Sequence, residues 1–315
     1  MKLLHNIRAK NNVVKEKYDK LEVLQCYLMI SMQIIGLLVV TIYPICWAIR
    51  LAWYYYDGVI STTRFVGFQN FITIFTKDTV YWKSWLTTIK FTLMKLPIEL
   101  PFAMCIALLL NAKIKAKSFF RSVFFLPTLI GSAIIGVIFF SLFDYFGIMN
   151  SLLIKLGVIS SSIDWFAEPA TAMIVLVIGS VWSTFGSNVL YFLAALKNIP
   201  AELYESAEID GASKFVVFFK ITLPMMAPIL QMILLLSING TLHVGDFVLV
   251  MTGGGPSGST HTVMSYIINA FVPGFATDQL VNIGYGCALS LITSIFMTII
   301  AVVYMKMSKK LSNMY

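Results

Sequence analysis

A 315-residue chain that is 58% hydrophobic, 12% charged and +8 in net charge is not composed like a water-soluble domain, in which about a quarter of residues are charged. Its long uncharged runs need a hydrocarbon surround, so the composition implies a polytopic membrane protein and excludes a compact soluble enzyme. The positive balance does not point to nucleic acid. The basic residues gather at Lys2 to Lys20, Lys113 to Arg121 and Lys306 to Lys310, beside apolar runs where they fix orientation.

Residues 1–22 read as a polar, basic arm without a signal-peptide cleavage pattern, either a solvated tail or a helix lying on an anionic membrane face. Six apolar stretches follow: Val23 to Ile49, Trp85 to Asn111, Ser122 to Phe143, Pro169 to Leu196, Ile221 to Val250 and Asn282 to Met305. Each is predicted to be a helix, because an isolated strand cannot pair its backbone groups in lipid. The fold class is therefore all-α, with a membrane domain over 23–306 and a short tail over 307–315. Lys95 and Glu99 lie one turn apart in the second stretch and either neutralise one another or face a cavity. The segment from Ala52 to Ser84 carries Trp53, Tyr54, Tyr55 and Tyr56, as an interfacial belt does, and is too short for an inserted domain. Cys26, Cys46, Cys105 and Cys287 stand singly, so they read as packing residues rather than a zinc site or a disulfide framework.

Six spans put both termini on one side. The arm, the 112–121 segment, the 197–220 segment and the tail hold most of the Lys and Arg, against Arg50, Arg64, Lys77, Lys83 and Lys155 opposite. This bias places both termini and the 197–224 loop in the cytoplasm. Within that loop, Pro200 is suited to start a helix and Glu202 and Glu205 suit its first turn. Asp210-Gly211 signals a turn, and Ser213 caps a second short helix ending near Lys220. Leu223-Pro224 then redirects the chain into the fifth span.

Polar residues inside apolar spans mark a path for a solute, or else mediate helix packing. The fourth span offers Ser180, Trp182, Ser183, Thr184, Ser187, Asn188 and Tyr191; the fifth offers Gln231, Ser237, Asn239, Thr241, His243 and Asp246. Hydroxyls, amides and an aromatic plate suit a sugar, and neither span contains Lys or Arg to neutralise an anion. His243 beside Asp246 is either a proton relay or a structural hydrogen-bonding group. No G-x-x-x-x-G-K-[ST] loop occurs, so the chain carries no nucleotide-binding loop of that kind, and Gly253 to Ser259 reads as a tight turn.

Glu205-Ser206-Ala207, followed by Gly211 and by Ile221-Thr222-Leu223-Pro224, resembles the EAA loop of binding-protein-dependent ABC importer permeases. Arg121 to Pro127, Ala194 to Pro200 and Thr252 to Pro256 resemble further motifs of that family in the same order. From about Trp85 onward the chain is similar to the MalF-type permeases of carbohydrate importers, with Gly147 to Asn150, Trp165 and Trp182 also in place. Ser206 stands where Ala is usual, and the large inserted domain of the maltose-specific member is absent. The resemblance implies a transport subunit with no catalytic residues, whose coupling residues are Glu205, Ser206, Ala207, Asp210, Gly211, Ile221, Leu223 and Pro224. It places Trp182, Ser183, Thr184 and the Asn239 to Asp246 region, with His243, at the substrate cavity, and the polar Ser187 and Asn188 of the fourth span join them in the expected pathway. It also implies a second MalF/MalG-type permease, two ATPase subunits holding ATP and Mg, and an extracellular solute-binding protein, all at a bacterial inner membrane. No cofactor or metal is expected on this chain. A sugar or oligosaccharide is the expected cargo. The alternatives are a glycerol phosphate or amino-acid permease, or an ion-coupled secondary transporter acting alone.

Overall fold

The computed structural model describes residues 20–112, 115–272 and 281–312. Most of the expected N-terminal arm (residues 1–19) and the end of the tail (313–315) lie outside them. The described residues contain six helices long and apolar enough to cross a membrane.

Residues up to Arg50 form one unit and Leu51 onward a second. The first consists of α1 (Lys20–Gly36), a wide π-helical turn over Leu37–Ile42, and α2 (Tyr43–Leu51), whose last residue opens the second unit. No residue of this first span, Val23–Leu51, is buried. The second unit opens on a two-stranded hairpin, β1 (Tyr54–Tyr55) against β2 (Arg64–Phe65), and a short helix α3 (Gln69–Thr76). The 33-residue α4 (Thr79–Asn111) follows, capped by the Asp78 carboxylate, which accepts from the Tyr81 N–H at 2.9 Å.

The expected third span, Ser122 to Phe143, is not one helix. It divides into α5 (Lys117–Phe125), a 3₁₀ turn over Leu126–Leu129 and α6 (Ser132–Phe143), and α7 (Ile148–Lys155) follows after a further break. Pro127 at the start of the 3₁₀ turn cannot continue a regular ladder, and the extended backbone at Ile130 and Gly131 completes the interruption. The fourth span is continuous: α8 (Pro169–Lys197) begins with proline at its first position.

After the loop come α9 (Ala201–Ile209), a four-residue helix α10 (Lys214–Val217), and α11 (Leu223–Leu242). The expected fifth span to Val250 is also interrupted, since α11 stops at Leu242 and α12 (Asp246–Thr252) starts anew after His243–Gly245. A side chain on Gly245 would collide with Ile268 and Met264, so that turn is where another segment approaches closely. Helices α13 (Val263–Phe271) and α14 (Ile283–Ser312) complete the chain.

Two apolar clusters pack the second unit. One joins Ala103, Met104, Ala107, Phe185, Phe192, Met226 and Ile233; the other joins Phe91, Ile135, Phe139, Leu176, Phe247 and Met251. Lipid is as apolar as these side chains, so close fit rather than expulsion from water holds the helices together. Gly186 illustrates that fit: a Cβ there would lie 2.1 Å from the Phe124 carbonyl oxygen. On α4, Lys95 and Glu99 fall between Phe91 of one cluster and Ala103 of the other. The polar site occupies that gap.

Candidate functional site

Lys95 and Glu99 are 3% and 1% exposed, with Lys95 Nζ 3.5 Å from Glu99 Oε2. Glu99 Oε1 accepts hydrogen bonds from the Thr184 hydroxyl at 2.6 Å and from Asn188 Nδ2 at 2.8 Å. Asn188 Oδ1 in turn accepts from the Ser237 hydroxyl at 3.3 Å. A carboxylate only accepts, so Glu99 dictates which way the Asn188 amide must point, while the single Thr184 proton lies between Glu99 and the Ser180 carbonyl, 2.9 Å away on its own helix. One chain of polar contacts thus runs from α4 through α8 to α11. It lines a cavity of about 270 Å³ together with Ser187, Tyr191, Gly240 and Val244. Breaking a buried pair of this kind by removing one partner costs about 3–5 kcal/mol, because the other charge is left uncompensated.

Of the residues expected along a substrate path, Thr184, Ser187 and Asn188 meet in this cavity. Trp182 does not join them. Its ring lies 5.7 Å from that of Phe139 and lines a separate apolar groove with Ile98, Phe102, Pro127 and Phe185. Six residues separate Trp182 from Asn188, which is about a third of a turn around the helix. Ser183 is half-buried and lines neither space. Asn239 and His243 are exposed, and the Asn239 carbonyl lies 2.8 Å from His243 Nδ1. Asp246, also exposed, accepts from the Ser132 hydroxyl, so the first residues of α12 and α6 are tied to each other. The imidazole of His243 is thereby engaged with its own helix, and the Asp246 carboxylate with another one.

The loop between α8 and α11 is an elbow with a defined hinge. Helix α9 ends as a Schellman motif: the Gly211 N–H donates to the Glu208 carbonyl at 3.1 Å and the Ala212 N–H to the Ala207 carbonyl at 2.9 Å. Gly211 has φ +69° with open space where a Cβ would project, so backbone conformation alone demands glycine. The Ser213 side chain accepts from the Val216 N–H and caps α10. Tyr204 and Thr222 join their hydroxyls at 3.2 Å across the two arms.

Ala207 is buried, whereas Glu205, Ser206 and Asp210 are exposed, with the Ser206 hydroxyl donating to the Glu202 carbonyl at 2.8 Å. Ile209 and Phe215 are 86% and 73% exposed beside the turn. A cleft of about 980 Å³ opens between the arms, walled by Tyr204, Glu208, Lys214 and Phe218.

The second arm does not stop near Lys220, and Leu223-Pro224 does not redirect the chain. A five-residue π turn over Phe218–Thr222 joins α10 to α11, so Lys214–Leu242 forms one rod of 29 residues. In a regular turn Pro224 would press on the Lys220 carbonyl four residues back, and the wider turn relieves that clash. Ile221 and Leu223 are half-buried along this rod and Pro224 is exposed.

A further cluster had no motif to reveal it. The Asp78 carboxylate that caps α4 also accepts from the phenols of Tyr266, at 2.9 Å, and Tyr285. Burial, and then the neighbouring Asp78 charge, pushes the Tyr266 phenol well above its ordinary range. The Thr88 hydroxyl accepts from the Val263 N–H at 3.0 Å at the start of α13. Beside it lies the glycine turn, with Gly253 and Gly254 at φ +61° and +83°. A Cβ on Gly254 would lie 2.1 Å from the buried His261 ring, and burial lowers the pKa of that imidazole. Among the described residues no group of three His, Cys, Asp or Glu is placed to hold a metal ion.

Comparison with known proteins identifies the family. A probable ABC transporter permease, YesP of Bacillus subtilis, is 34% identical over 90% of this chain and 89% of the relative. The trehalose/maltose transport system permease MalF of Thermococcus litoralis is 31% identical over 90% and 93%. The fold resembles that of a chain in a bacterial alginate ABC transporter solved with an alginate pentasaccharide-bound periplasmic protein. The TM-score is 0.76 at 19% identity, covering 94% of this chain and 98% of that one. The family model for binding-protein-dependent transport system inner membrane components matches residues 99–312. This chain belongs to that family: it is a multi-pass ABC permease, a membrane component and not the catalytic subunit.

Proposed function

We propose that this chain forms half of the transmembrane pathway of an ATP-driven importer for a sugar or oligosaccharide. The other half is a second MalF/MalG-type permease. Two ATPase subunits carry the ATP and Mg, and an extracellular solute-binding protein delivers the cargo. The membrane is the bacterial inner membrane, with both termini and the elbow in the cytoplasm, an orientation that the Lys and Arg bias supports.

One observation carries the reading. The rod Lys214–Leu242 begins at the elbow and holds Ser237, whose hydroxyl reaches Asn188, near its other end. A push on the elbow is therefore delivered along a continuous helix to the wall of the polar cavity. The glycine hinge fixes the angle between the arms, and exposed Ile209 and Phe215 offer the ATPase an apolar grip. Glu205, Ser206 and Asp210 surround that grip with polar contacts. At the far end, Thr184, Ser187, Asn188 and Ser237 supply neutral hydrogen-bonding groups suited to hydroxyls. The carbohydrate names of several relatives, including those for trehalose/maltose, lactose and arabinooligosaccharides, support the cargo class.

Gentle purification is expected to recover the partner permease and the ATPase with this chain. Proteoliposomes of that complex, given the binding protein and ATP, are expected to accumulate sugar. Accumulation by this chain alone, or a preference of the binding protein for an amino acid, would refute the assignment.

A further inference from the structure

Resting on the carbohydrate reading of the cavity, we propose that Lys95 and Glu99 together read one hydroxyl of a neutral sugar. That hydroxyl bridges Lys95 Nζ and Glu99 Oε2. The sequence left open whether the two neutralise one another or face a cavity; both come from α4, outside the fourth and fifth spans.

The spacing of the pair motivates the bridge. At 3.5 Å the ammonium and carboxylate oxygen are farther apart than the roughly 2.7–2.9 Å of a charge-assisted hydrogen bond. Glu99 Oε2 is buried and accepts no hydrogen bond, while Oε1 already accepts two. A nearly fully buried carboxylate oxygen with an unfilled lone pair, on the wall of a polar cavity, is an acceptor awaiting a donor. Lys95 holds three N–H donors and lines the same cavity.

The ligand class follows from what can satisfy both atoms at once. A hydroxyl donates its proton to Glu99 Oε2 and accepts through its oxygen from Lys95 Nζ. An anionic carboxylate or phosphate cannot donate and is repelled by Glu99. A cation is repelled by Lys95. The pair is neutral overall, so it offers no net charge with which to neutralise a charged cargo. Thr184 and Asn188, both in contact with Glu99 Oε1, stand beside the bridge to meet neighbouring hydroxyls. At about 270 Å³ the cavity is small beside the roughly 300–1,000 Å³ of drug-sized sites, which fits one ring of the cargo being read here.

The test uses the complete transporter in proteoliposomes with its binding protein. Tritiated trehalose, maltotriose, lactose, arabinobiose and digalacturonate serve as probes, together with monodeoxy analogues of whichever neutral sugar is taken up. The double variant Lys95→Met with Glu99→Gln removes the charges as a pair. Its amide oxygen can still accept from Thr184 and Asn188, which preserves the tie to α8. We expect KM to rise roughly ten- to hundredfold, the range for a lost hydrogen bond to a charged group, with kcat little changed. One monodeoxy analogue, poorly accepted by the parent protein, is expected to become nearly equivalent to the full sugar in the variant.

Glu99→Gln alone is the second variant and is expected to show the same loss of discrimination. Because it leaves Lys95 unpaired, the single variant is expected to melt lower whichever role the pair plays, so the ranking decides: a purely structural ion pair would leave the order of the analogues unaltered in both variants. An unchanged KM and ranking, or faster uptake of digalacturonate than of every neutral probe, overturns the bridge. Uptake of none of the five probes overturns the carbohydrate reading itself and the bridge with it.

Discussion

On the elbow, Glu205 and Asp210 stand exposed around a turn whose angle rests on local backbone hydrogen bonds. In the cavity, Glu99 is 1% exposed and is held by partners 85 and 89 residues away in the chain. The same kind of side chain thus does two kinds of work. At the elbow, water screens the charges, individual carboxylates contribute little to stability, and shape comes from one glycine. In the cavity the Glu99, Asn188 and Ser237 contacts cross between helices, so one missing partner loosens the tie among α4, α8 and α11. The pairing suits a coupled device: a stiff local hinge at one end of a rod, and a nonlocal polar lock near the other.

The largest expected effect on energy coupling tests the hinge. Valine at Gly211 would have to adopt φ +69°, costing about 1–2 kcal/mol or more, so binding-protein-stimulated ATP hydrolysis is expected to fall roughly tenfold. Alanine at the same position meets no neighbouring atom and is expected to be milder. Equal sugar uptake by Gly211→Val and the parent protein would remove the elbow from the coupling path.

Next comes the lock. Asn188→Leu takes one donor from Glu99 and the acceptor from Ser237. A loss of about 1–3 kcal/mol is expected, read as a lower melting temperature of the purified complex. A melting temperature equal to that of the parent would mean that the contacts among α4, α8 and α11 are not a lock.

A smaller effect concerns pH at the glycine turn. Burial holds the His261 imidazole below its ordinary pKa of 6.5, so the unfolded chain takes up a proton before the folded one does. The unfolded state then binds more protons, and stability rises with pH across that window. Stability is therefore expected to be complete above about pH 6.5 and to decline as pH falls toward the lowered folded-state pKa. Replacing His261 by Gln is expected to flatten that part of the melting curve; the same slope with and without the imidazole would show that another group is responsible.

The smallest effect on folding belongs to the exposed tip. Phe215→Ser is expected to change stability by no more than about 0.5 kcal/mol, because the ring is at the surface. It is nevertheless expected to weaken recovery of the ATPase in pull-downs. A large drop in melting temperature would instead make Phe215 part of the packing.

Much of this was legible in the residues themselves. Membrane class, six apolar helices and the elbow's first helix follow from composition, from Pro200 and from Asp210-Gly211, because these are local preferences of the chain. Likewise, Ser213 could be read as a cap and Gly211 as a left-handed position without knowing what surrounds them. The breaks at Pro127 and Gly245 were hidden, since an apolar run looks continuous whether or not the backbone bends within it. The rod through Pro224 was hidden too, because a π turn relieves a proline clash without leaving a composition signal. Only the tertiary structure joined Lys95 and Glu99 to Thr184, Asn188 and Ser237, and only it turned Trp182 toward Phe139 instead. Periodicity names the residues on a helix face, but in lipid every face is apolar. Which face meets another helix is then decided by fit and by buried hydrogen bonds, both set by residues far away in sequence.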